Sequence, residues 1–124
     1  MLSRENRLAR SDGFAPVLKE GGKAANRVLA VSASLRANGR APQAGVIVGK
    51  REFALASSRN QIKRRLRHVL ASRLQDLPGG TAVVVRALPG ARGLSSAELG
   101  ENLDRLLTAA MRKAANRMSQ GVAS

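Results

Sequence analysis

Residues 58–75 read SRNQIKRRLRHVLASRLQ, and this stretch decides the architecture of the chain. Apolar residues recur in it at three- and four-residue spacing, which predicts an amphipathic helix over Ser58–Asp76. Ser57 or Ser58 can cap the start of this helix, and Pro78-Gly79-Gly80 ends it. The apolar side therefore needs a sheet or another helix to cover it. Its residues are Ile62, Leu66, Val69, Leu70, Leu74 and Leu77.

The other side of the predicted helix is strongly basic. Residues 59–73 contain six Lys and Arg residues and no acid. Like charges at helical spacing repel one another, so we expect a polyanionic partner on this side. Arg binds phosphate bidentately, and the positive end of a helix also attracts anions. Such binding is largely independent of nucleotide sequence and weakens steeply with salt. The outward residues are Arg64, Arg65, Arg67 and His68, with Arg59, Asn60 and Lys63 at the first turn and its margin.

The charge of the whole chain points the same way. Its 124 residues include 22 Lys and Arg but only 8 Asp and Glu, a formal net charge of +14. Twelve of the basic residues and one acid, Glu52, lie between Gly21 and Gln75. This balance favours nucleic acid as the partner, with an anionic membrane second. The length predicts a single domain over 1–124, with flexible ends at 1–10 and 119–124.

The flanking segments predict three strands before this helix, one strand after it, and two further helices. Asn38-Gly39 is a turn signal that favours an antiparallel pair between the first two strands. Ser95 and Glu98 form a capping box for the last helix, beside a hydrophobic staple of Leu94 and Leu99. The predicted order is αβββαβα, an α/β (α+β) sandwich of three helices on a small mixed four-stranded sheet. The predicted strands are 27–35, 44–48, 51–56 and 81–88, and the first helix runs from Ser11 or Asp12 to Glu20.

Residues that could carry out catalysis are scarce. The chain has no Cys, which excludes disulfides, thiolate chemistry and Cys-based zinc sites. His68, the only histidine, has no acid near it in sequence and is interpreted as solvated or phosphate-facing. Glu101 and Asp104 share a helical face, but Arg105 adjoins them and we assign them no metal. No apolar run approaches a membrane span or a secretory signal, so we expect a cytoplasmic protein.

The basic helix resembles the signature helix of a known family. Residues 59–67, RNQIKRRLR, are similar to the RNR motif of the bacterial ribonuclease P protein subunit. Asn6-Arg7-Leu8, Phe14 with Val17, Gly21 and Asn26-Arg27 match the family's opening in order and spacing. Gly45–Lys50 resembles a G-x-x-V-S-K strand, and Thr81–Arg86 with Pro89 resembles the last strand. The resemblance covers about residues 4–115.

The resemblance implies a left-handed βαβ crossover around the signature helix and a role beside a catalytic RNA. That RNA holds Mg²⁺ and removes the 5′ leader of precursor tRNA, so no protein residue is expected to be catalytic and none to bind metal. Two sets of binding residues are implied. The catalytic RNA would contact Arg59, Asn60, Lys63, Arg64, Arg65 and Arg67. The precursor-tRNA leader would contact Phe14, Val17, Leu18, Lys50 and Arg27. Phe14 could equally be core, and for Val17 and Leu18 the core is favoured.

The sequence departs from the family at three places. Gln61 stands where a second Arg is common, Leu18 stands where a second aromatic is common, and segment 51–58 carries Glu52, Phe53 and one extra residue. The main alternative is a ribosomal or other structured-RNA-binding protein. A helix-turn-helix DNA-binding protein, a membrane-surface protein and a self-sufficient nuclease are less well supported. The last would need a carboxylate cluster to hold Mg²⁺.

Overall fold

The computed structural model describes residues 2–9, 13–36 and 39–123, the last six of these as backbone only. The predicted helix start at Ser11 or Asp12, and Asn38 of the predicted turn, lie outside the described residues. Two 3-10 turns, Arg4–Asn6 and Pro89–Ala91, accompany the main elements. The helices are α1 Phe14–Glu20, α2 Ala56–Leu74 and α3 Ser96–Ala123, and the strands are β1 Gly22–Ala25, β2 Leu29–Leu35, β3 Gln43–Ile47 and β4 Thr81–Ala87.

The predicted order αβββαβα and the mixed four-stranded sheet are confirmed. The strands lie in the order β1-β2-β4-β3. β1 with β2 and β2 with β4 are antiparallel, whereas β3 and β4 are parallel. α2 therefore connects two adjacent parallel strands. The left-handedness of this crossover stays a prediction from the resemblance.

Two details of the predicted sheet are wrong. β2 and β3 do not pair, because β4 lies between them. β4 has six of its seven residues buried, and a strand buried on both faces belongs in the middle of a sheet. The segment 51–56 is not a strand but a turn leading into α2. The fourth strand of the sheet is instead β1, which is not among the predicted strands. Gly22 of β1 lets the backbone of α3 come close, because a Cβ there would lie 2.4 Å from the carbonyl oxygen of Ala110.

The sheet has helices on both faces. α2 and α3 cover one face over the main core, which includes Val31, Val46, Val83 and Val85. α1 covers part of the other face, over a small cluster of Phe14, Val17, Ala82 and Val84. The β4 residues alternate between these clusters, as the twofold period of a strand requires. The three layers leave part of the α1 face without a helix.

The N-terminal cap predicted from the sequence is present in α3 but not in α2. The Ser95–Glu98 capping box is confirmed: Glu98 N–H donates to Ser95 Oγ at 3.1 Å, and Ser95 N–H donates to Glu98 Oε1 at 3.2 Å. The cap predicted at Ser57 or Ser58 is wrong. α2 begins at Ala56, two residues before Ser58, and its N-cap residue Leu55 offers no side-chain hydrogen bond.

The N-terminal segment, predicted to be flexible, contacts the two hydrophobic clusters through Leu2 and Leu8. Leu2 is buried in the main cluster. Arg7 forms a parallel bridge with Ala44 of β3, and Leu8 N–H donates to the Ala44 carbonyl at 3.0 Å. These bonds cover the outer edge of β3 near its start, at Ala44, which would otherwise be part of an unpaired strand edge.

Candidate nucleic-acid interface

The exposed side of α2 presents a basic surface, here called the α2 basic face: Asn60, Lys63, Arg64, Arg67 and His68. All are exposed except Lys63, which is half-buried. Ile62, Leu66, Val69 and Leu70 face the opposite way, into the core. The amphipathic interpretation of the helix is thus confirmed, and a side chain on the α2 basic face can reach a partner without disturbing the packing.

Two of the predicted RNA-binding arginines also hold the protein together. Arg59 Nη1 donates to the carbonyls of Phe53 at 2.8 Å and Ala54 at 2.9 Å. Arg65 Nη1 donates to the carbonyl of Leu94 at 2.7 Å, and both arginines are half-buried. They fix the loop before α2 and the connection into α3, so each has donors left over for a partner but less freedom to move.

A third arginine of this helix is paired with an acid. Arg73 Nε and Nη2 donate to Asp104 Oδ1 and Oδ2 at 2.8 and 3.0 Å, joining α2 to α3. The hydrogen bonds to Asp104 raise the pKa of Arg73 above its usual value. The acid that sequence analysis considered for metal binding is therefore the partner of an arginine.

The predicted leader-binding residues fall into two groups. Phe14 and Val17 are buried against the sheet at 8% and 1% exposure, whereas Leu18 is exposed at 37%. Val17 is core as favoured, while the same preference for Leu18 is wrong. The ring of Phe14 lies directly on Gly45, where a Cβ would approach it to 2.1 Å.

Lys50 and Arg27, the other members of that set, are exposed beside the part of the sheet that α1 leaves uncovered. One row of cross-strand neighbours spans this part, and we call it the open row: Ala25, Ala30, Arg86 and Ile47. Arg27 follows β1 and Lys50 follows β3, so the two cations flank the row on the two edge strands. The row gives a floor of small and aliphatic side chains with a cation at each side and one, Arg86, in the middle.

Sequence analysis assigned no role to Arg86. The alternation of β4 would have placed it on the α1 face, since it follows Val84 by two residues. Arg86 Nη2 donates to Glu52 Oε1, and this hydrogen bond is the main cause that lowers the pKa of Glu52. Arg92 Nη2 donates to the Glu52 carbonyl at 3.0 Å, and its guanidinium lies 5.8 Å from the centre of the Phe53 ring.

Residues of the two predicted sets meet in one place. A cavity of about 280 Å³ at the edge of β3 is lined by Phe14 of α1 and by Arg67 of α2, together with Arg7 of the N-terminal segment. The leader set and the catalytic-RNA set are therefore neighbours here. The contribution of Arg7 could have been suspected only from its position in the family's opening motif.

Within the described ranges, three or more His, Asp or Glu side chains nowhere cluster in a way that could hold a metal ion. His68 is exposed on the α2 basic face, as interpreted from the sequence. Over the same residues, no helix is both long and apolar enough to cross a membrane.

A basic amphipathic helix beside a partly open, cation-flanked sheet defines a nucleic-acid-binding protein. The sequence model of the Ribonuclease P family matches residues 2–111, and the chain belongs to that family. Its ribonuclease P protein component relatives include one from Acidothermus cellulolyticus, 46% identical over 86% of this chain and 89% of the relative. Another, from Streptomyces bikiniensis, is 42% identical over 86% and 93%.

Solved structures agree on the fold. The ribonuclease P protein of Staphylococcus aureus superposes with a TM-score of 0.72 at 22% identity, covering 83% of this chain and 93% of that one. The protein from Thermotoga maritima gives 0.68 at 21% identity, covering 80% and 92%.

Proposed function

We propose that this chain performs the role of its family through two RNA-binding surfaces. It is the RNA-binding protein component of ribonuclease P, an endoribonuclease of tRNA processing. The observation that carries the proposal is the α2 basic face, where Arg64 and Arg67 are exposed and Lys63 is half-buried on a helix whose other side packs in the core. The chemistry belongs to the RNA subunit, and the protein supplies positive charge where two RNAs must approach.

The α2 basic face binds the catalytic RNA. Arg64, Arg67 and Asn60 are exposed and bind the phosphate backbone directly, and Lys63 assists from the margin. Arg59 and Arg65 hold the adjacent loops while directing their remaining N–H groups to the same RNA. Phosphate contacts of this kind fix register and orientation without reading base sequence.

The open row and its flanking cations bind the 5′ leader of precursor tRNA. Arg27 and Lys50 contact leader phosphates, and Leu18 offers an exposed apolar contact at the edge of α1. Phe14 and Val17 are buried, so they contribute indirectly: they fix α1 against the sheet, and α1 forms a wall of the leader cleft. Extended single strands bind well to a shallow surface with cations along its sides.

Mg²⁺ is held by the RNA subunit in this proposal, and the protein raises the affinity for the ion indirectly by offsetting phosphate repulsion. The holoenzyme acts in the cytoplasm, where precursor tRNA is processed. A ribosomal or other structured-RNA-binding role would use the same α2 basic face, but it would give no account of the cation-flanked open row.

Cleavage of precursor tRNA at low Mg²⁺ tests the proposal with three samples: the protein alone, a bacterial ribonuclease P RNA alone, and the two together. We expect the mixture alone to cut at the mature 5′ end. Cleavage by the protein alone would place an active site in this chain. If the protein did not stimulate a competent RNA, this chain would have no part in the cleavage and the proposal would be wrong.

A further inference from the structure

Arg86 is the one exposed residue of β4, and it lies in the middle of the open row. The other six residues of this strand are buried. Its cross-strand neighbours are Ala30 and Ile47, which are both half-buried. The Arg86 side chain is 52% exposed, whereas Ala82 and Val84 on the same face are buried beside α1. A charged residue on an inner strand of the sheet is therefore open to a ligand here.

The partner of Arg86 is Glu52, which is held in place from several sides. Arg86 Nη2 donates to Glu52 Oε1. The other carboxylate oxygen, Oε2, lies against Gly49, where an added Cβ would come within 2.6 Å of it. Arg92 donates to the Glu52 carbonyl at 3.0 Å, and Phe53 N–H donates to the Gly49 carbonyl at 3.0 Å. The Glu52 side chain is only 13% exposed, so the carboxylate stays below while the arginine faces solvent.

The ion pair leaves Arg86 with hydrogen-bond donors for a second anion. A guanidinium has five N–H donors, and the bond to Glu52 uses one of them. Arg matches phosphate geometry with paired N–H groups, so the free side of the guanidinium can bind a phosphate. The negative charge of Glu52 offsets that of the arginine and weakens such a contact. Exposed ion pairs contribute little to stability, so folding alone does not explain an acid at this place. Glu52 belongs to segment 51–58, where the sequence departs from the family.

Arg86 lies between the two cations that flank the open row. Neighbouring strands are about 4.8 Å apart, and β4 lies one such spacing from β3 and two from β1. A single strand of RNA that reaches from Arg27, after β1, to Lys50, after β3, therefore passes over Arg86. Because RNA phosphates repel a carboxylate, the position of Glu52 bears directly on leader binding.

We infer that Arg86 binds one phosphate of the precursor-tRNA leader and that Glu52 limits the strength of this contact. The inference rests on the proposed function, because it takes the open row as the leader surface. Glu52 stays paired with one side of the guanidinium while the phosphate takes the other side. The acid thereby keeps the middle of the open row from binding RNA phosphates as tightly as an unpaired arginine would.

The test measures kcat/KM for precursor-tRNA cleavage by the full chain assembled with a bacterial ribonuclease P RNA. Each substrate carries a methylphosphonate at one leader linkage, which removes the charge of a single phosphate. The scan along the leader is made with the wild type, with Arg86→Gln and with Glu52→Gln. Arg105→Gln and Glu101→Gln are the matched controls, because they remove the same charges from exposed residues of α3.

We expect one leader linkage at which the methylphosphonate lowers kcat/KM of the wild type about 5-fold at 0.15 M salt, the cost of one lost phosphate contact. Arg86→Gln should abolish the penalty at this linkage and leave it at the others. Glu52→Gln should increase the penalty at the same linkage about 2-fold, since it removes a partly screened charge about 6 Å from the phosphate. Both controls should keep the wild-type profile.

An Arg86→Gln profile equal to that of the wild type would overturn the phosphate contact, and an unchanged or smaller penalty in Glu52→Gln would overturn the role of the acid. A loss of stability lowers activity on all substrates alike, so the comparison between linkages still holds; Arg86→Met repeats the scan if Arg86→Gln folds poorly. The proposed function fails separately, if the wild-type protein does not stimulate cleavage of the unmodified substrate.

Discussion

Replacing Arg64 and Arg67 by Gln should weaken binding to ribonuclease P RNA without weakening the fold. Both side chains are exposed, and within the described residues neither donates a hydrogen bond to the protein. If each binds one phosphate, the slope of log K against log salt should fall in magnitude by about 1.8, at about 0.9 per contact. The same relation gives each contact a factor of about 5 at 0.15 M salt relative to 1 M, so the pair should cost about 30-fold.

Filter binding or fluorescence anisotropy across 0.1 to 0.5 M salt measures the RNA affinity and its salt dependence, and thermal unfolding measures the stability of the same variants. The contrasting variant is Arg59→Gln with Arg65→Gln, which loses the bonds to the carbonyls of Phe53, Ala54 and Leu94. That pair should lower stability by about 1–3 kcal/mol, since each bond has a charged donor on a half-exposed side chain. RNA affinity unchanged in the Arg64/Arg67 variant at 0.15 M salt would refute the assignment of the α2 basic face.

Three further changes test the surroundings of the interface. Gly45→Ala should destabilise the protein by about 1–3 kcal/mol in denaturant unfolding, because its Cβ displaces the ring of Phe14; a fully stable variant would contradict that packing. Glu52→Gln removes the ion pair with Arg86. Because the folded pKa of Glu52 is lowered, the wild type should be the more stable above the unfolded pKa and should lose this advantage as pH falls through the folded pKa; a difference that does not change with pH would count against the pair. Ser95→Ala should lower stability by about 1 kcal/mol through loss of the α3 cap, whereas Ser96→Ala should not.

Local patterns in the sequence were enough to predict the helices and the central strand. The spacing of apolar residues in α2, the capping box of α3 and the continuous apolar run of β4 are short-range signals, and all three agree with the structure. The strand pairing was not predictable in this way, because it depends on contacts between distant segments. In β1, Gly22 leaves room for the backbone of α3, and that requirement is visible only once α3 is in place.

The candidate site shows the same division. The sequence identified the cations of α2 but could not show that Arg59 and Arg65 donate to backbone carbonyls. Every residue has such a carbonyl, so the sequence does not indicate which of them lies near an arginine. It likewise placed Phe14 and Lys50 in one set, although Phe14 is buried between α1 and the sheet and Lys50 is exposed beside the open row. Arg86 was passed over because a single charge at the end of an apolar strand carries no pattern of its own.

Tethered hydroxyl-radical cleavage in the assembled holoenzyme tests the central claim, that one surface binds the catalytic RNA and another the leader. The chain has no Cys, so Gln61→Cys on α2 or Ala25→Cys in the open row gives a unique attachment point for an iron chelate. Both positions are exposed. We predict that radicals from position 61 cut ribonuclease P RNA and that radicals from position 25 cut the 5′ leader of precursor tRNA. Leader cleavage from position 61, or cleavage confined to ribonuclease P RNA from position 25, would contradict the account.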